Sequence, residues 1–284
     1  MQVEQITEPL AYHGEGPCWL AASAEVAWVD MLAGRVLATS LEHGTTRVIE
    51  VPSPVAAIVR PRAQGGLVVA GETGVWLLDE HDSPTLLCEV EHSPNIRLNE
   101  GTCDRHGRLW CGSMHYEFTP GAAKLYRVEA DGSVEVALPE VTISNGLDWS
   151  PDGATAFYSD SAVGVDVMEF DVVDGVLGER HRFADIDPSL GMPDGLAVDS
   201  EGGVWVALWD GSAVFRLSPE GKLDDVIALP CGRVTACSFG GESLDELFIT
   251  TSRLDVPDGK EPAAGALFRC VPGVRGQAVN AFAG

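Results

Sequence analysis

A short β-rich run recurs six times along the chain, at intervals of 41 to 48 residues. The runs are VAWVDM from Val26, LVVAGE from Leu67, LWCGSM from Leu109, AFYSDS from Ala156, VWVALW from Val204 and LFITTS from Leu247. A period in the forties is typical of propellers, in which each repeat forms one four-stranded blade. The repeat therefore predicts an all-β fold, a six-bladed β-propeller with four antiparallel strands per blade.

One repeat can be divided into all of its strands. The predicted strands are GLAVD (195–199), VWVALW (204–209), AVFRLSP (213–219) and LDDVIALP (223–230). Short strands separated by frequent turn signals are an all-β pattern, and no long stretch has helical periodicity. No linker or shift in composition divides the chain, so we expect residues 1–284 to form a single domain.

The last repeat is one strand short. It offers VTACSFG (234–240), LFITTS and ALFRCV (266–271) before a Gly-rich tail. The N-terminal segment VEQITE could supply the missing outer strand. The N-terminal strand would then close the last blade and remove the free edges of the ring.

The charge balance restricts the partners. The chain has 43 acidic and 18 basic residues and a formal net charge of −25. Such a protein repels phosphate backbones and anionic lipid surfaces, so we expect no nucleic acid and no membrane partner. The N-terminus has neither a basic nor an apolar leader segment, and the seven cysteines include no CxxC pair. These features predict a cytoplasmic protein with free thiols.

A residue with a polar oxygen precedes glycine near the start of four predicted first strands. These pairs are Glu15-Gly16, Glu100-Gly101, Asn145-Gly146 and Asp194-Gly195. First strands line the channel of a propeller, so we expect Glu15, Asn145 and Asp194 to meet at one mouth. Two carboxylates and an amide oxygen suit Ca²⁺ or Mg²⁺, or Zn²⁺ with water in its open positions. The alternative is that these are ordinary turn residues.

A second polar group is expected at the same mouth. Arg97 and Asn99 in NIRLNEG (95–101) come just before a predicted first strand, and Glu117 follows the second strand of that blade. They could bind a polyhydroxylated or anionic ligand, or Arg97 and Glu117 could be solvated surface charges. His115 lies near this rim without an assigned role. The segment 253–265 joins a second strand to a third, so it should lie on the mouth face.

Other catalytic motifs were not found. The sequence contains no GxSxG, HExxH or P-loop pattern. A serine hydrolase built on a nucleophile elbow is therefore disfavoured.

Several motifs together resemble one known family. They are GEGPCW, RLNEG, ISNGLDWSPDG, YSDS, MPDGLAVDSEGGVWVALW and FGG…LFITTSR…GALF, from about Gly14 to about Gly273. The ordered set is similar to the family of senescence marker protein (regucalcin), gluconolactonase and luciferin-regenerating enzyme. The resemblance implies metal ligands at Glu15, Asn145 and Asp194, and substrate contacts at Arg97, Asn99 and Glu117. Glu100 stands where many relatives have Asp.

The resemblance also implies an activity. We expect a metal-dependent carboxylic-ester hydrolase that opens a sugar lactone, such as glucono- or xylonolactone, to the aldonic acid. Asp194 would act as general base toward a metal-activated water. The cofactor would be one divalent ion, Ca²⁺ or Zn²⁺ first, with Mg²⁺, Mn²⁺ and Fe²⁺ as further candidates. A metal-dependent esterase or phosphotriesterase for a non-sugar substrate, and a non-catalytic calcium-binding regulator, are the alternatives.

Overall fold

Antiparallel strands make up nearly all of the regular structure. A computed structural model describes residues 1–161, 166–173 and 175–284. Within these ranges the only helices are two 3₁₀ turns, Met31–Ala33 and Pro188–Leu190. No helix in the described part of the chain has the length and apolar character needed to cross a membrane.

The strands are numbered in chain order and pair into sheets of four. The chain begins with β1 (Glu4–Gln5). Sheet I contains β2 (Gly14–Leu20), β3 (Glu25–Asp30), β4 (Arg35–Ser40) and β5 (Thr45–Glu50). Sheet II contains β6 (Ile58–Pro61), β7 (Leu67–Ala70), β8 (Gly74–Leu78) and β9 (Pro84–Glu89). Sheet III contains β10 (Ile96–Cys103), β11 (Leu109–His115), β12 (Ala123–Val128) and β13 (Val134–Val141).

The second half of the chain continues this arrangement. Sheet IV contains β14 (Ser144–Trp149), β15 (Thr155–Asp160), β16 (Asp166–Val173) and β17 (Val176–Asp185). Sheet V contains β18 (Met192–Val198), β19 (Val204–Trp209), β20 (Ala213–Leu217) and β21 (Leu223–Ala228). Sheet VI contains β22 (Arg233–Gly240), β23 (Glu246–Ser252) and β24 (Leu267–Cys270), with β1 as its outer strand.

The sheets form a closed ring around a central axis. The first strand of each sheet contacts the first strand of the next, and β22 of sheet VI returns to β2 of sheet I. β1 pairs with β24 through Glu4–Arg269 and Gln5–Phe268. The all-β propeller and its closure by an N-terminal strand are confirmed, although the closing strand is only two residues long.

Buried tryptophans on the second strands anchor two of the sheets to their turns. The Trp110 Nε1–H donates to Asp104 Oδ2 over 2.8 Å, and the Trp205 Nε1–H donates to Asp199 Oδ2 over 2.9 Å. Asp104 and Asp199 each lie in the turn between first and second strands, where they also accept backbone N–H bonds. Each carboxylate thus ties a tight turn to the core, which explains the acidic residue in the repeated turns.

The C-terminal segment covers one end of the ring, opposite the end at which the first strands of the sheets begin. Phe282 is fully buried, and its N–H donates to the carbonyl of Pro61 over 2.8 Å. Gln277 donates to the carbonyl oxygens of Trp149 and Val198. A cavity of about 190 Å³ lies between this segment and the axis, with Arg60 and Asp148 among its lining residues. Because this end is covered, access to the axis is from the mouth where the first strands begin.

Candidate metal centre

β-bulges near the starts of the first strands position three polar side chains. In sheets III, IV and V, two residues of the first strand lie opposite one residue of the second. The bulged pairs are Asn99-Glu100, Asn145-Gly146 and Asp194-Gly195. A bulge bends its strand and redirects a side chain, and bulges are common beside active sites.

The strand register corrects two details of the sequence prediction. The residue-Gly pattern aligned Glu100 with Asn145 and Asp194, but the pairing makes Asn99 their equivalent. The pattern also placed Arg97 and Asn99 before their strand, whereas both lie within β10. The misalignment arose because a bulge adds a residue to one strand only, and spacing along the sequence does not show which residue is added.

The glycines after Asn145 and Asp194 are required by the close approach of adjacent first strands. A Cβ atom on Gly146 would lie 2.5 Å from the backbone nitrogen of Leu196. A Cβ atom on Gly195 would lie 2.5 Å from the Cβ atom of Ala236. The strands can therefore bring their bulges together at the axis only with hydrogen in place of a side chain.

Glu15 reaches the same mouth from a different strand position. It is paired with Val29 and immediately precedes the bulge of sheet I, so it lies one step before the positions of Asn145 and Asp194. Its side chain is buried, and Oε2 accepts a hydrogen bond of 3.1 Å from the N–H of Gly16. The predicted convergence of Glu15 with Asp194 is supported by the repulsion between their carboxylates, described below.

A chain of amides connects sheets III, IV and V. The Asn99 Nδ2 group donates to Asn145 Oδ1 over 2.8 Å, and Asn145 Nδ2 donates to Ser161 Oγ over 2.6 Å. The Ser161 hydroxyl donates in turn to the carbonyl of Pro193, next to Asp194. These bonds orient Asn145 with its oxygen toward Asn99, and that oxygen keeps a second lone pair.

Arg97 lies at the start of this chain and is also buried. Its Nη1 donates to Asn99 Oδ1 over 2.6 Å and to the carbonyl of Leu98 over 3.1 Å. Burial lowers the pKa of Arg97, while electrostatic interactions with Tyr116, Glu15 and Asp194 oppose that shift. The guanidinium group is thus held beside both carboxylates and is bonded to the amide chain.

Burial and repulsion from neighbouring carboxylates destabilise the ionised forms of Glu15 and Asp194. Burial raises the pKa of Asp194 well above its usual range, and repulsion from Glu100 adds to this effect. Burial also raises the pKa of Glu15, with repulsion from Asp194 and then Glu100 contributing. In the described part of the chain, Asp194 has no ion pair within 4 Å, and the nearest basic group to Glu15 is the His13 ring at 4.0 Å. Buried carboxylates in this state are stabilised by a cation.

The donor set fits a hard divalent cation. Glu15 and Asp194 supply anionic oxygens, and the free lone pair of Asn145 Oδ1 supplies a neutral one, as Ca²⁺ and related ions prefer. No group of three or more His, Cys, Asp or Glu side chains suited to a metal occurs among the described residues. The candidate centre therefore depends on the amide oxygen of Asn145 as its third protein ligand.

Glu117 and His115 lie outside this buried group. Glu117 is exposed in the turn after β11, and its N–H donates to His115 Nδ1 over 3.1 Å. The turn is on the mouth side, since the N–H of the adjacent Tyr116 donates to the carbonyl of Asn95. The segment 253–265 is also on this side, because the Arg253 N–H donates to the carbonyl of Tyr12. Glu117 is thus at the rim, away from the buried bonds of Arg97 and Asn99.

Sequence reasoning missed a buried histidine. His13 lies two residues before Glu15, and its ring contacts that of Trp209 edge-on at 5.8 Å between centroids. Burial lowers the pKa of His13 to about 3, with the positive charges of Arg97 and Arg233 contributing. The imidazole is therefore neutral at ordinary pH. The only signal in the sequence was its position beside the GEGP motif.

The sequence comparisons agree with this architecture. Residues 13–253 match the family described as the SMP-30/Gluconolactonase/LRE-like region. The chain belongs to this family. The matched range includes all six of the predicted ligands and substrate contacts, namely Glu15, Arg97, Asn99, Glu117, Asn145 and Asp194.

Individual relatives cover nearly the whole chain. Regucalcin of Danio rerio is 33% identical over 97% of this chain and 96% of its own length. A 6-deoxy-6-sulfogluconolactonase of Pseudomonas putida is 36% identical over 95% of each chain. The crystal structure of a calcium-binding protein, regucalcin, from Agrobacterium tumefaciens superposes with a TM-score of 0.92 at 27% identity, covering 98% of this chain and 95% of the other. The relatives thus include a sugar lactonase and a calcium-binding protein of the same fold.

Proposed function

We propose that this protein is a metal-dependent hydrolase that opens a sugar lactone to the aldonic acid. The observation that carries the proposal is the pair of buried carboxylates, Glu15 and Asp194, neither of which forms an ion pair with an Arg or Lys within 4 Å among the described side chains. Membership of a family that includes a sugar lactonase supports the same reaction class.

Glu15, Asn145 and Asp194 would hold the metal ion. A bound divalent cation supplies Lewis acidity toward the lactone carbonyl and the attacking water. Ca²⁺ is the first candidate, because all three ligands are hard oxygen donors and one relative is a calcium-binding protein. Zn²⁺, Mg²⁺, Mn²⁺ and Fe²⁺ remain candidates to be compared directly.

Asp194 has the properties of a general base. Burial, with repulsion from Glu100, raises the pKa of Asp194, so its carboxylate has a higher proton affinity than an exposed one and is suited to take a proton from water. Water adds to the carbonyl carbon as Asp194 takes its proton. The ring C–O bond then breaks, and the proton passes to the departing ring oxygen. The product is the open hydroxy acid, so atoms and charge balance without another reactant.

Arg97 and Asn99 are suited to the substrate side of the reaction. Both are buried, and Arg97 donates a hydrogen bond to Asn99, so they need little reorganisation when charge develops. Arg97 would stabilise the negative carbonyl oxygen, and Asn99 would keep the Asn145 ligand oriented. Glu117, exposed at the rim, would accept hydrogen bonds from sugar hydroxyls.

A non-sugar ester is the second candidate substrate. Tyr116 and Phe118 flank Glu117, and their side chains are 41% and 57% exposed. Exposed aromatic side chains at a rim suit an apolar ester group better than a sugar. An aryl ester and a phosphotriester therefore belong in the substrate panel.

The test is acid release by chelator-stripped protein supplied with one metal at a time. We expect at least one metal to restore hydrolysis of an aldonolactone above the spontaneous rate. Asp194→Asn should abolish this activity, while Asp131→Asn, a change in an exposed turn, should not. Faster turnover of the aryl ester or phosphotriester would favour the second candidate. Tight metal binding without turnover of any substrate would instead indicate a non-catalytic metal-binding protein.

A further inference from the structure

A second polar cluster lies at the mouth, formed by His13, Trp209, Arg233 and Ser252. Arg233 and Ser252 are paired across β22 and β23, and Ser252 also forms a bridge to His13. The guanidinium carbon of Arg233 lies 4.9 Å from the centre of the Trp209 ring, over its face. The four residues thus form one contiguous group from sheets I, V and VI.

Arg233 has unused hydrogen-bonding capacity in this cluster. Its Nη1 is buried and has no hydrogen-bond partner in the described part of the chain. Its Nε donates over 3.3 Å to Asp210, whose side chain is 60% exposed. A buried guanidinium N–H without an acceptor is costly, and a bound ligand that supplied an oxygen would remove that cost.

His13 supplies a second donor beside it. Ser252 Oγ accepts a hydrogen bond of 3.0 Å from the N–H of Leu254 and lies 2.8 Å from His13 Nδ1. We assign the serine as the donor to Nδ1, because its hydroxyl hydrogen has no other acceptor among the described residues, and this assignment puts the ring proton on Nε2. Nε2 lies 4.0 Å from Glu15 Oε1, beyond hydrogen-bond distance, so its N–H is available to a ligand next to the candidate metal.

The cluster faces the catalytic side chains across the ring. Sheet VI, which carries Arg233, is three sheets away from sheet III, which carries Arg97 and Asn99. Glu15 and Asp194 come from sheets between these two. A substrate whose carbonyl is held near Arg97 would therefore extend its other end toward Arg233.

We propose that Arg233 and His13, against the wall formed by Trp209, bind an anionic oxygen substituent that the lactone carries on the side away from its carbonyl. This inference rests on the proposed lactonase function. Arginine binds carboxylate, sulfonate and phosphate oxygens with strong charge-assisted hydrogen bonds, whereas a hydroxymethyl group at this place would leave much of that capacity unused. The substrate class is therefore an acid-substituted sugar lactone.

The experiment compares lactones that differ only at the carbon farthest from the carbonyl. One carries a hydroxymethyl group, and the others carry a carboxylate, a sulfonate or a phosphate there. The native protein should show a kcat/KM at least about tenfold higher for one or more of the acid-bearing lactones. The ranking among the three identifies which anion the subsite accepts.

Arg233→Gln should remove that preference. We expect kcat/KM to fall about 10- to 100-fold for the preferred acid-bearing lactone and less than about threefold for the neutral one. The matched control is Arg269→Gln, an arginine of the same sheet that pairs with Glu4 and Glu246 away from the mouth. If Arg233→Gln does not fold, His13→Gln serves as the second variant, with the same selective loss expected.

Two other results have distinct meanings. Hydrolysis of neutral and acid-bearing lactones at equal kcat/KM would overturn the subsite while leaving the lactonase function intact. Without turnover of any lactone, the proposed function fails, and calorimetry with the open-chain diacid and its matched monoacid then decides the subsite. The subsite is supported if the native protein binds the diacid more tightly than the monoacid and Arg233→Gln loses this difference. Equal binding of the two acids by the native protein would reject the subsite.

Discussion

Asn99 Nδ2 donates a hydrogen bond of 2.8 Å to Asn145 Oδ1, joining the bulges of two neighbouring sheets. The same Asn99 accepts a hydrogen bond of 2.6 Å from Arg97 through its own oxygen. A residue that we propose for the substrate side is thereby bonded directly to a candidate metal ligand. Metal affinity and substrate binding should consequently be linked through this one amide.

Replacement of Asn99 tests this link. Asn99→Ala removes the bond that orients Asn145, so we expect divalent metal affinity to fall by roughly 10- to 100-fold, as for other residues that orient ligands. Isothermal titration with Ca²⁺ measures the effect. Asn95→Ala, at an exposed position in the preceding turn, is the control and should bind the metal like the native protein. Unchanged affinity in Asn99→Ala would show that Asn145 is not held by this bond.

Asp194→Asn separates binding from proton transfer. The amide keeps one neutral oxygen for the metal but cannot accept a proton from water, so turnover should fall by at least about 100-fold. Thermal unfolding with and without metal shows whether some metal binding is retained. A variant that binds metal and keeps native turnover would rule out Asp194 as the base.

Gly195→Ala tests the close approach of first strands. The added methyl group would lie 2.5 Å from the Ala236 Cβ atom and 3.0 Å from the Thr235 carbonyl oxygen. We expect the free energy of unfolding to fall by about 2 kcal/mol, with weaker metal binding because the bulge shifts. Gly44→Ala is the comparison, since its added methyl group meets nothing within 4 Å and only its positive φ of 62° opposes it. Urea denaturation of both variants should give the larger loss for Gly195→Ala.

Asp148 should make stability depend on pH. Burial raises its pKa from 3.8 to about 6, although its oxygens accept bonds from the N–H groups of Trp149 and Val198. The folded state thus binds this proton more tightly than the unfolded state does. Its contribution is fully present below about pH 4 and is lost as the pH rises through about 6, by roughly 3 kcal/mol in total.

Urea denaturation between about pH 4 and pH 7.5 measures this contribution. The native protein should lose stability relative to Asp148→Asn as the pH rises over that range, because the asparagine does not ionise. Asp258→Asn, at an exposed position, should show no such relative change. A constant difference between the native protein and Asp148→Asn at all pH values would contradict the prediction.

Much of the strand arrangement could be read from the sequence because it depends on local patterns. Short alternating runs and Gly-containing turns gave strands such as Val204–Trp209, and the incomplete last repeat indicated that the N-terminus supplies a strand. The residue-Gly pairs also led to Asn145 and Asp194. The alignment failed at Asn99, where a bulge changes the register between two strands and nothing in the one-dimensional spacing marks it.

The second cluster could not have been predicted from local patterns. His13, Trp209 and Arg233 come from three sheets, and although Trp209 ends a repeated run, neither His13 nor Arg233 belongs to one. Only the closing of the ring brings sheet VI beside sheet I and places Ser252 against His13. The exposure of Glu117 could not be predicted from the sequence either, because contacts with neighbouring segments determine the path of the turn after β11.

The sequence by itself determined the β-rich repeat, the oxygen donors at Glu15, Asn145 and Asp194, and the family to which they belong. The tertiary structure alone decided how those donors are buried, which amide orients Asn145, and which residues face them across the mouth. The physical reason is the distance along the chain over which each kind of interaction acts. Strand and turn preferences act between residues a few positions apart, whereas desolvation, charge repulsion and hydrogen bonding between sheets depend on distances that exist only once the ring has closed.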